Sequence, residues 1–70
     1  MNPANLIKMA NQIGAFFEAM PNREQAVKDT AAHIQKNWDP RMRLAMLQHI
    51  RNSGDTELSA LVRDAFMLVK

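Results

Sequence analysis

Apolar residues recur at steps of three and four along most of the chain, which is the spacing of amphipathic helices. Proline, asparagine and glycine interrupt this pattern and divide it into segments. The pattern predicts four helices, near residues 3–20, 23–37, 40–52 and 59–69. No segment has the alternating pattern of a half-buried strand. We therefore expect an all-α fold, a small four-helix bundle-like domain with short turns that spans residues 1–70.

Polar residues with capping chemistry stand before each predicted helix. Asp39 is followed by Pro40, and proline at the first helical position loses no hydrogen bond, because that N–H has no partner within the helix. Asn22 has Gln25 three residues later, the spacing of a capping box. The other candidate caps are Asn2, with Asn5 as a second choice, and Ser59.

The two glycines have different expected roles. Gly54 follows the third helix and can end it with a positive φ. Gly14 lies inside the first helix, where glycine is about 1 kcal/mol less favourable than alanine. Either another helix crosses close to Gly14, or the glycine is simply tolerated there.

The apolar stripes of the helices predict the core. Residues expected inside are Leu6, Ile13, Phe17, Val27, Ile34, Trp38, Leu47, Ile50, Val62 and Ala65. Ile7 and Gly14 lie off the main stripe of the first helix. The third helix has apolar residues on more than one face, which predicts burial on two sides.

The apolar share of the sequence, 47% with only 23% charged residues, exceeds what a short bundle can hide. We expect the isolated chain either to form a homodimer or to expose an apolar patch. The patch would be built from some of Ile7, Phe16, Leu44, Met46, Phe66 and Met67. The six methionines are either core filler or an adaptable docking surface; they are Met1, Met9, Met20, Met42, Met46 and Met67.

Composition also limits the function classes. Without cysteine the chain has no disulfide, no thiolate metal site and no cysteine nucleophile, and the cytoplasm is the expected location. The net charge of +2 is spread along the chain and gives weak support to nucleic-acid binding. No apolar run approaches the roughly 18 residues of a membrane span, and no export signal is recognisable. We expect neither a membrane nor a nucleic-acid partner; the alternative is a small helical DNA-binding or regulatory protein.

The titratable residues form no catalytic constellation. His33 and His49 lack metal-binding spacing and are expected at the edges of helix faces. Ser53 and Ser59 occupy turn and cap positions without a nucleophile motif. We therefore expect no enzymatic activity in this chain, and no cofactor or metal ligands.

The junction between the second and third helices is the sharpest feature of the sequence. Trp38 is the only tryptophan, and its large apolar surface is expected in the core or against a partner. Arg41 and Arg43 stand in the first turn of a helix, where cations oppose the helix dipole. Either Asp39 or Glu18 pairs with them, or they bind an anionic group of a partner. The candidate partner-binding residues are Trp38, Arg41, Met42, Arg43 and Met46.

Several short segments occur in an order and spacing that match a known family. They are Leu6-Ile7-Lys8-Met9-Ala10-Asn11-Gln12-Ile13, Phe16-Phe17, Ala32-His33-Ile34, Trp38-Asp39-Pro40-Arg41-Met42-Arg43 and Leu61-Val62-Arg63. With them the chain resembles the delta subunit of the soluble, molybdenum- or tungsten-dependent, NAD-linked formate dehydrogenases over nearly its whole length. One departure is Ala60 after Ser59, where a proline is expected in relatives.

The resemblance implies an accessory polypeptide of an enzyme that oxidises formate to carbon dioxide and passes the electrons to NAD. In that family the large subunit carries the molybdopterin cofactor and iron–sulfur clusters, and a flavin subunit reduces NAD. The delta subunit is associated with assembly or stability of the complex, or with maturation of the pterin cofactor. The implied partners are the large catalytic subunit and, beyond it, the other subunits or an assembly chaperone.

Overall fold

The computed structural model describes residues 2–70, and this part of the chain contains four α-helices and no strand. The helices are α1 (Pro3–Phe17), α2 (Arg23–Asn37), α3 (Pro40–Ser53) and α4 (Ala60–Phe66). The predicted all-α fold is confirmed. None of these helices is long and apolar enough to cross a membrane. Met1, one of the six methionines, lies outside the described residues.

Each helix begins at a predicted polar cap. Asp39 Oδ1 accepts a hydrogen bond from the backbone N–H of Met42 at 3.0 Å, and Pro40 occupies the first turn. The caps of the other three helices are Asn2, Asn22 and Ser59. The capping box is wrong, because the Gln25 amide donates to Asp29 Oδ1 at 2.7 Å instead of turning back toward the cap. The cap alone therefore begins α2.

The first helix ends three residues before the predicted position. The N–H of Glu18 still donates to the Gly14 carbonyl at 2.8 Å, whereas the N–H of Met20 donates to Phe17, only three residues back. Met20 precedes Pro21, and a residue before proline is disfavoured in the helical region. The chain therefore leaves the helix in a tighter turn before it reaches the proline.

The ends of α3 and α4 differ from the predicted ends in opposite directions. α3 continues to Ser53, and Gly54 then has a positive φ of 87° with an extended ψ of −176°. α4 ends at Phe66 rather than residue 69, because the N–H of Leu68 donates to Ala65 at 2.9 Å, a three-residue spacing. The start of α4 is regular despite the alanine after its cap.

The buried face of α1 combines large side chains with very small ones. Leu6, Ile7, Ala10 and Gly14 form it, and a Cβ on Gly14 would overlap Val62 Cγ2 of α4. Of the two alternatives for Gly14, the structure shows the close crossing of another helix. Ile7 was expected off the main stripe and in an exposed patch, and this is wrong because Ile7 shares the face that carries Gly14.

The core lies where α1, α2 and α4 meet. Five predicted core residues are buried: Leu6, Ile34, Trp38, Val62 and Ala65. Five others are only half-buried: Ile13, Phe17, Val27, Leu47 and Ile50. The prediction favoured large side chains, whereas the helices also bury small ones; Ala10, Ala26 and Ala31 are all inside. Close approach at alanines leaves several large neighbours at the margin of the core.

The third helix packs mainly against α1. Met46 is the single residue of α3 that is buried, with no exposed surface. Leu44, on the opposite side of the helix, is 55% exposed. Burial on two sides is therefore wrong for α3, because only its Met46 side meets the rest of the bundle.

Candidate partner-binding surfaces

Two of the five candidate partner-binding residues lie inside the core. Trp38 is 4% exposed, and its ring centroid lies 5.8 Å from that of Phe66, tilted by 57°. Met46 is fully buried. Phe66 and Met46 are thus also excluded from the predicted exposed patch. Trp38 stabilises the junction from inside the core. A substitution of Trp38 or Met46 would therefore change partner binding by altering the fold, since neither side chain is exposed for direct contact.

The Arg43 guanidinium binds three backbone carbonyl oxygens of this chain. Arg43 Nη1 donates to Trp38 at 2.6 Å and to Gln35 at 3.1 Å, and Nε donates to Lys70 at 2.8 Å. Gln35 and Trp38 lie at the C-terminal end of α2, where carbonyls lack helical partners and a cation is favourable. The charge that opposes the dipole of α3 therefore complements the end of α2.

A second side chain holds the same terminal backbone. Gln35 Oε1 accepts from the N–H of Lys70 at 2.7 Å, and Gln35 Nε2 donates to the Lys70 carbonyl at 3.2 Å. Together with Arg43 this arrangement fixes the backbone of residue 70 against α2. No local sequence signal indicated it, since the partners are 35 and 27 residues apart in the chain.

Arg41 is exposed and takes no part in the carbonyl hydrogen bonds made by Arg43. The carboxylates expected to pair with it have other partners. Asp39 accepts from the N–H of Met42 and caps α3, and Glu18 Oε1 lies 3.3 Å from Arg23 Nη1. Pairing of Asp39 or Glu18 with the junction arginines is therefore wrong. Within residues 2–70, no carboxylate lies within ion-pair distance of Arg41. For direct contact with a partner, the candidates that remain are Arg41 and the half-buried Met42.

The exposed side of α3 is basic with one large apolar side chain. Its residues lie on a single stripe, since they follow one another at steps of three and four: Arg41, Leu44, Gln48 and Arg51. We call this stripe the outer face of α3. The segment Pro40–Ser53 contains no Asp or Glu, so no charge within the helix neutralises the two arginines.

A different apolar surface lies near the end of α1. Phe16 is 76% exposed, and its ring makes an edge contact with Phe17, with centroids 5.1 Å apart and an interplanar angle of 89°. With Ile13 and His33 these two rings line an open pocket of about 140 Å³. His33 is exposed at a helix edge, as predicted.

Three of the six residues expected in an exposed apolar patch are exposed, whereas a single patch that contains them stays a prediction. Phe16, Leu44 and Met67 are exposed, the last at 84%. The structure adds Met9 and Leu68 to the exposed apolar residues. Homodimer formation stays a prediction.

The second histidine lies beside a carboxylate. His49 Nε2 lies 3.7 Å from Glu57 Oε1, a contact that is an ion pair only when the imidazole is protonated. In the described part of the chain, no three His, Asp or Glu side chains come together in a way that could hold a metal ion.

Comparison with known proteins identifies a family over most of the chain. Residues 5–66 match the family model described as NADH-dependent formate dehydrogenase delta subunit FdsD. No curated protein and no solved structure matches the chain. The matched range includes α2, α3 and α4 in full and nearly all of α1. The resemblance noted in the sequence is thus confirmed, and the chain belongs to the delta-subunit family of NADH-dependent formate dehydrogenase.

Proposed function

We propose that the chain is a non-catalytic subunit that binds the large catalytic subunit of formate dehydrogenase. Its binding supports assembly or stability of the complex, or maturation of the molybdopterin cofactor in the large subunit. The family match supports formate dehydrogenase as the enzyme to which the chain belongs. We propose that this binding takes place in the cytoplasm, and that the other subunits or an assembly chaperone are further partners.

The observation that carries the proposal is apolar exposure on a compact protein. The accessible surface of 4609 Å² is close to the roughly 4,500 Å² expected for a folded monomer of this size. Loose packing therefore does not account for the exposed side chains. Phe16, Leu44, Met67 and Leu68 each remain more than half exposed. Aromatic residues and methionine are enriched at protein interfaces, so exposed side chains of this kind on a small protein support a docking role.

The junction supports this role by keeping the surface in place. Trp38 and Arg43 join the end of α2 to the start of α3, one through core packing and the other through carbonyl hydrogen bonds. α3 also packs against α1 through Met46, so this contact and the junction together set its direction. A rigid junction presents Arg41 and Leu44 in a fixed orientation, which lowers the entropy lost on binding.

The test compares formate dehydrogenase produced with and without the chain. We expect the chain to co-purify with the large subunit, and its omission to lower the yield of assembled complex or the molybdenum bound per large subunit. Normal molybdenum with a low yield of complex would indicate assembly, whereas low molybdenum in an assembled complex would indicate maturation. Two results together would overturn the proposal. The chain would not co-purify, and the complex made without it would have full molybdenum and full formate-dependent NAD reduction.

A further inference from the structure

The outer face of α3 has the chemistry of a binding surface for carboxylates. We propose that it binds an acidic surface segment of the large formate dehydrogenase subunit, with an apolar side chain of that segment seated on Leu44. The inference rests on the proposed function and adds the surface and the chemistry of its partner.

Three residues of the outer face share one side of α3. Arg41, Leu44 and Arg51 lie on one stripe of α3, at steps of three and seven residues. This stripe faces away from the buried Met46, so it is turned out from the bundle. Along the helix Leu44 lies between Arg41 and Arg51, and it is itself more than half exposed. An apolar centre between two cations fits a segment with carboxylates on both sides of an apolar residue.

The charges of the chain leave these two arginines without an internal partner. Among residues 2–70, no carboxylate lies within ion-pair distance of Arg41 or Arg51. Three carboxylates elsewhere form ion pairs with other cations: Glu18 and Asp64 with Arg23, and Glu24 with Lys28. An arginine presents a planar fork of donors that matches a carboxylate, so the outer face can bind two acidic side chains.

Two other partners fit this surface less well. A second copy that met the first through this face would set arginine against arginine, because a two-fold contact repeats the same residues on both sides. A nucleic acid would find only two cations separated by an apolar side chain, on a protein with a net charge of +2. Proteins that bind phosphate backbones use clustered Lys and Arg, which the outer face lacks.

The test reverses charge on this face within the complete complex. The variant carries Arg41→Glu and Arg51→Glu, and the control carries Lys8→Glu and Arg63→Glu. Both pairs are exposed, lack ion pairs within residues 2–70, and include one residue from the last turn of a helix. The control therefore has the same net charge, and Arg63 matches the last-turn position of Arg51. Lys8 lies inside α1, so the control does not reproduce the dipole change at Arg41. Each chain is co-expressed with the other subunits, and binding to the large subunit is measured at several salt concentrations.

We expect the α3 variant to bind at least about tenfold more weakly than the wild type and the control to bind within about twofold, because only the variant loses charge complementarity. Binding of the wild type should weaken as salt rises, since salt screens exposed charges. If the wild type binds while variant and control bind equally well, the inference is wrong and the proposed function stands. If the wild type does not bind the large subunit at all, the proposed function fails first.

A photo-crosslinking amino acid in place of Leu44 gives a test that needs no charge reversal. We expect a crosslink to a segment of the large subunit that contains Asp or Glu on both sides of an apolar residue. A crosslink to a second copy, to nucleic acid or to a segment without carboxylates would overturn the inference. This measurement also decides the question if the charge-reversal variant does not fold.

Discussion

Arg43 Nη1 donates a 2.6 Å hydrogen bond to the carbonyl oxygen of Trp38, so a side chain of α3 caps the C-terminal end of α2. Viewed along α3 alone, this arginine is unfavourable by about 0.3–1 kcal/mol, because it stands at the positive end of the helix dipole. A hydrogen bond to a charged group contributes about 1.5–3 kcal/mol. The carbonyl bonds therefore outweigh the dipole, and Arg43 stabilises the junction.

The two junction arginines should consequently respond to mutation in opposite directions. We expect Arg43→Gln to lower the free energy of unfolding by about 1–2 kcal/mol, because the carbonyl hydrogen bonds are lost. Arg41→Gln is the matched control and should be neutral or slightly stabilising, since it removes a cation that opposes the dipole. Urea unfolding of both variants measures the difference. Equal midpoints for the two variants would contradict the structural role of Arg43.

Asn11 gives a second test of a long-range contact. Its Nδ2 donates to the Glu57 carbonyl and its Oδ1 accepts from the N–H of Ser59, both at 2.9 Å. This side chain thereby fixes the loop before α4 onto α1. We expect Asn11→Ala to cost about 1–2 kcal/mol, because two backbone groups lose their partner. Gln12→Ala, at an exposed neighbour, should change stability by less than about 0.5 kcal/mol. A similar unfolding midpoint for both variants would rule out this role of Asn11.

The helices and their starts could be predicted because their causes are local. A cap such as Asp39 acts on an N–H three residues away, so the sequence contains both partners. The roles of Arg43 and Asn11 depend on carbonyls from other elements, and no spacing in the sequence indicates them. The face of α1 was misjudged for a related reason. Its position depends on where α4 packs, and Gly14 is the contact point.

Gly14 should resist substitution even though it lies inside a helix. Alanine would gain about 1 kcal/mol of helix propensity. The added Cβ would overlap Val62, and overpacking of this kind costs about 1–3 kcal/mol. We expect Gly14→Ala to be destabilising in the wild type and less so in a Val62→Ala background, where the methyl group in the way is gone. A double-mutant cycle by denaturant unfolding measures this coupling, and a coupling energy near zero would contradict the crossing at Gly14.

The cap of α3 can be tested by changing charge and hydrogen bonding separately. Asp39→Ala removes the acceptor for the Met42 N–H and should cost about 1 kcal/mol. Asp39→Asn keeps an oxygen at that position, and asparagine caps about as well as aspartate, so its effect should be a few tenths of a kcal/mol. The comparison requires only thermal or urea unfolding of the two variants. If alanine and asparagine are equally tolerated, the side chain of Asp39 does not cap the helix.

The sequence predicted the chemical character of the candidate site better than the residues that form it. The sequence indicated an excess of apolar surface and a pair of arginines at the junction, and Phe16, Leu44 and Arg41 are exposed accordingly. The sequence could not show that Arg41 and Arg43 have different roles, because only folding brings carbonyls of α2 within hydrogen-bond distance of Arg43. Arg51 was not singled out either. Its significance comes from lying on the same stripe as Arg41, on a helix whose other side is buried.

Self-association of the isolated chain tests the exposed apolar surface itself. We expect a homodimer at high concentration, because Phe16 is largely exposed beside an open pocket that another apolar side chain can enter. Phe16→Ser should abolish it without lowering stability by more than about 0.5 kcal/mol, since an exposed side chain contributes little to folding. Ala15→Ser, at the exposed neighbour, is the control and should dimerise like the wild type. Sedimentation velocity over a range of concentrations measures all three proteins. A wild-type chain that stays monomeric throughout, or a Phe16→Ser variant that dimerises equally well, would show that this surface does not join two copies.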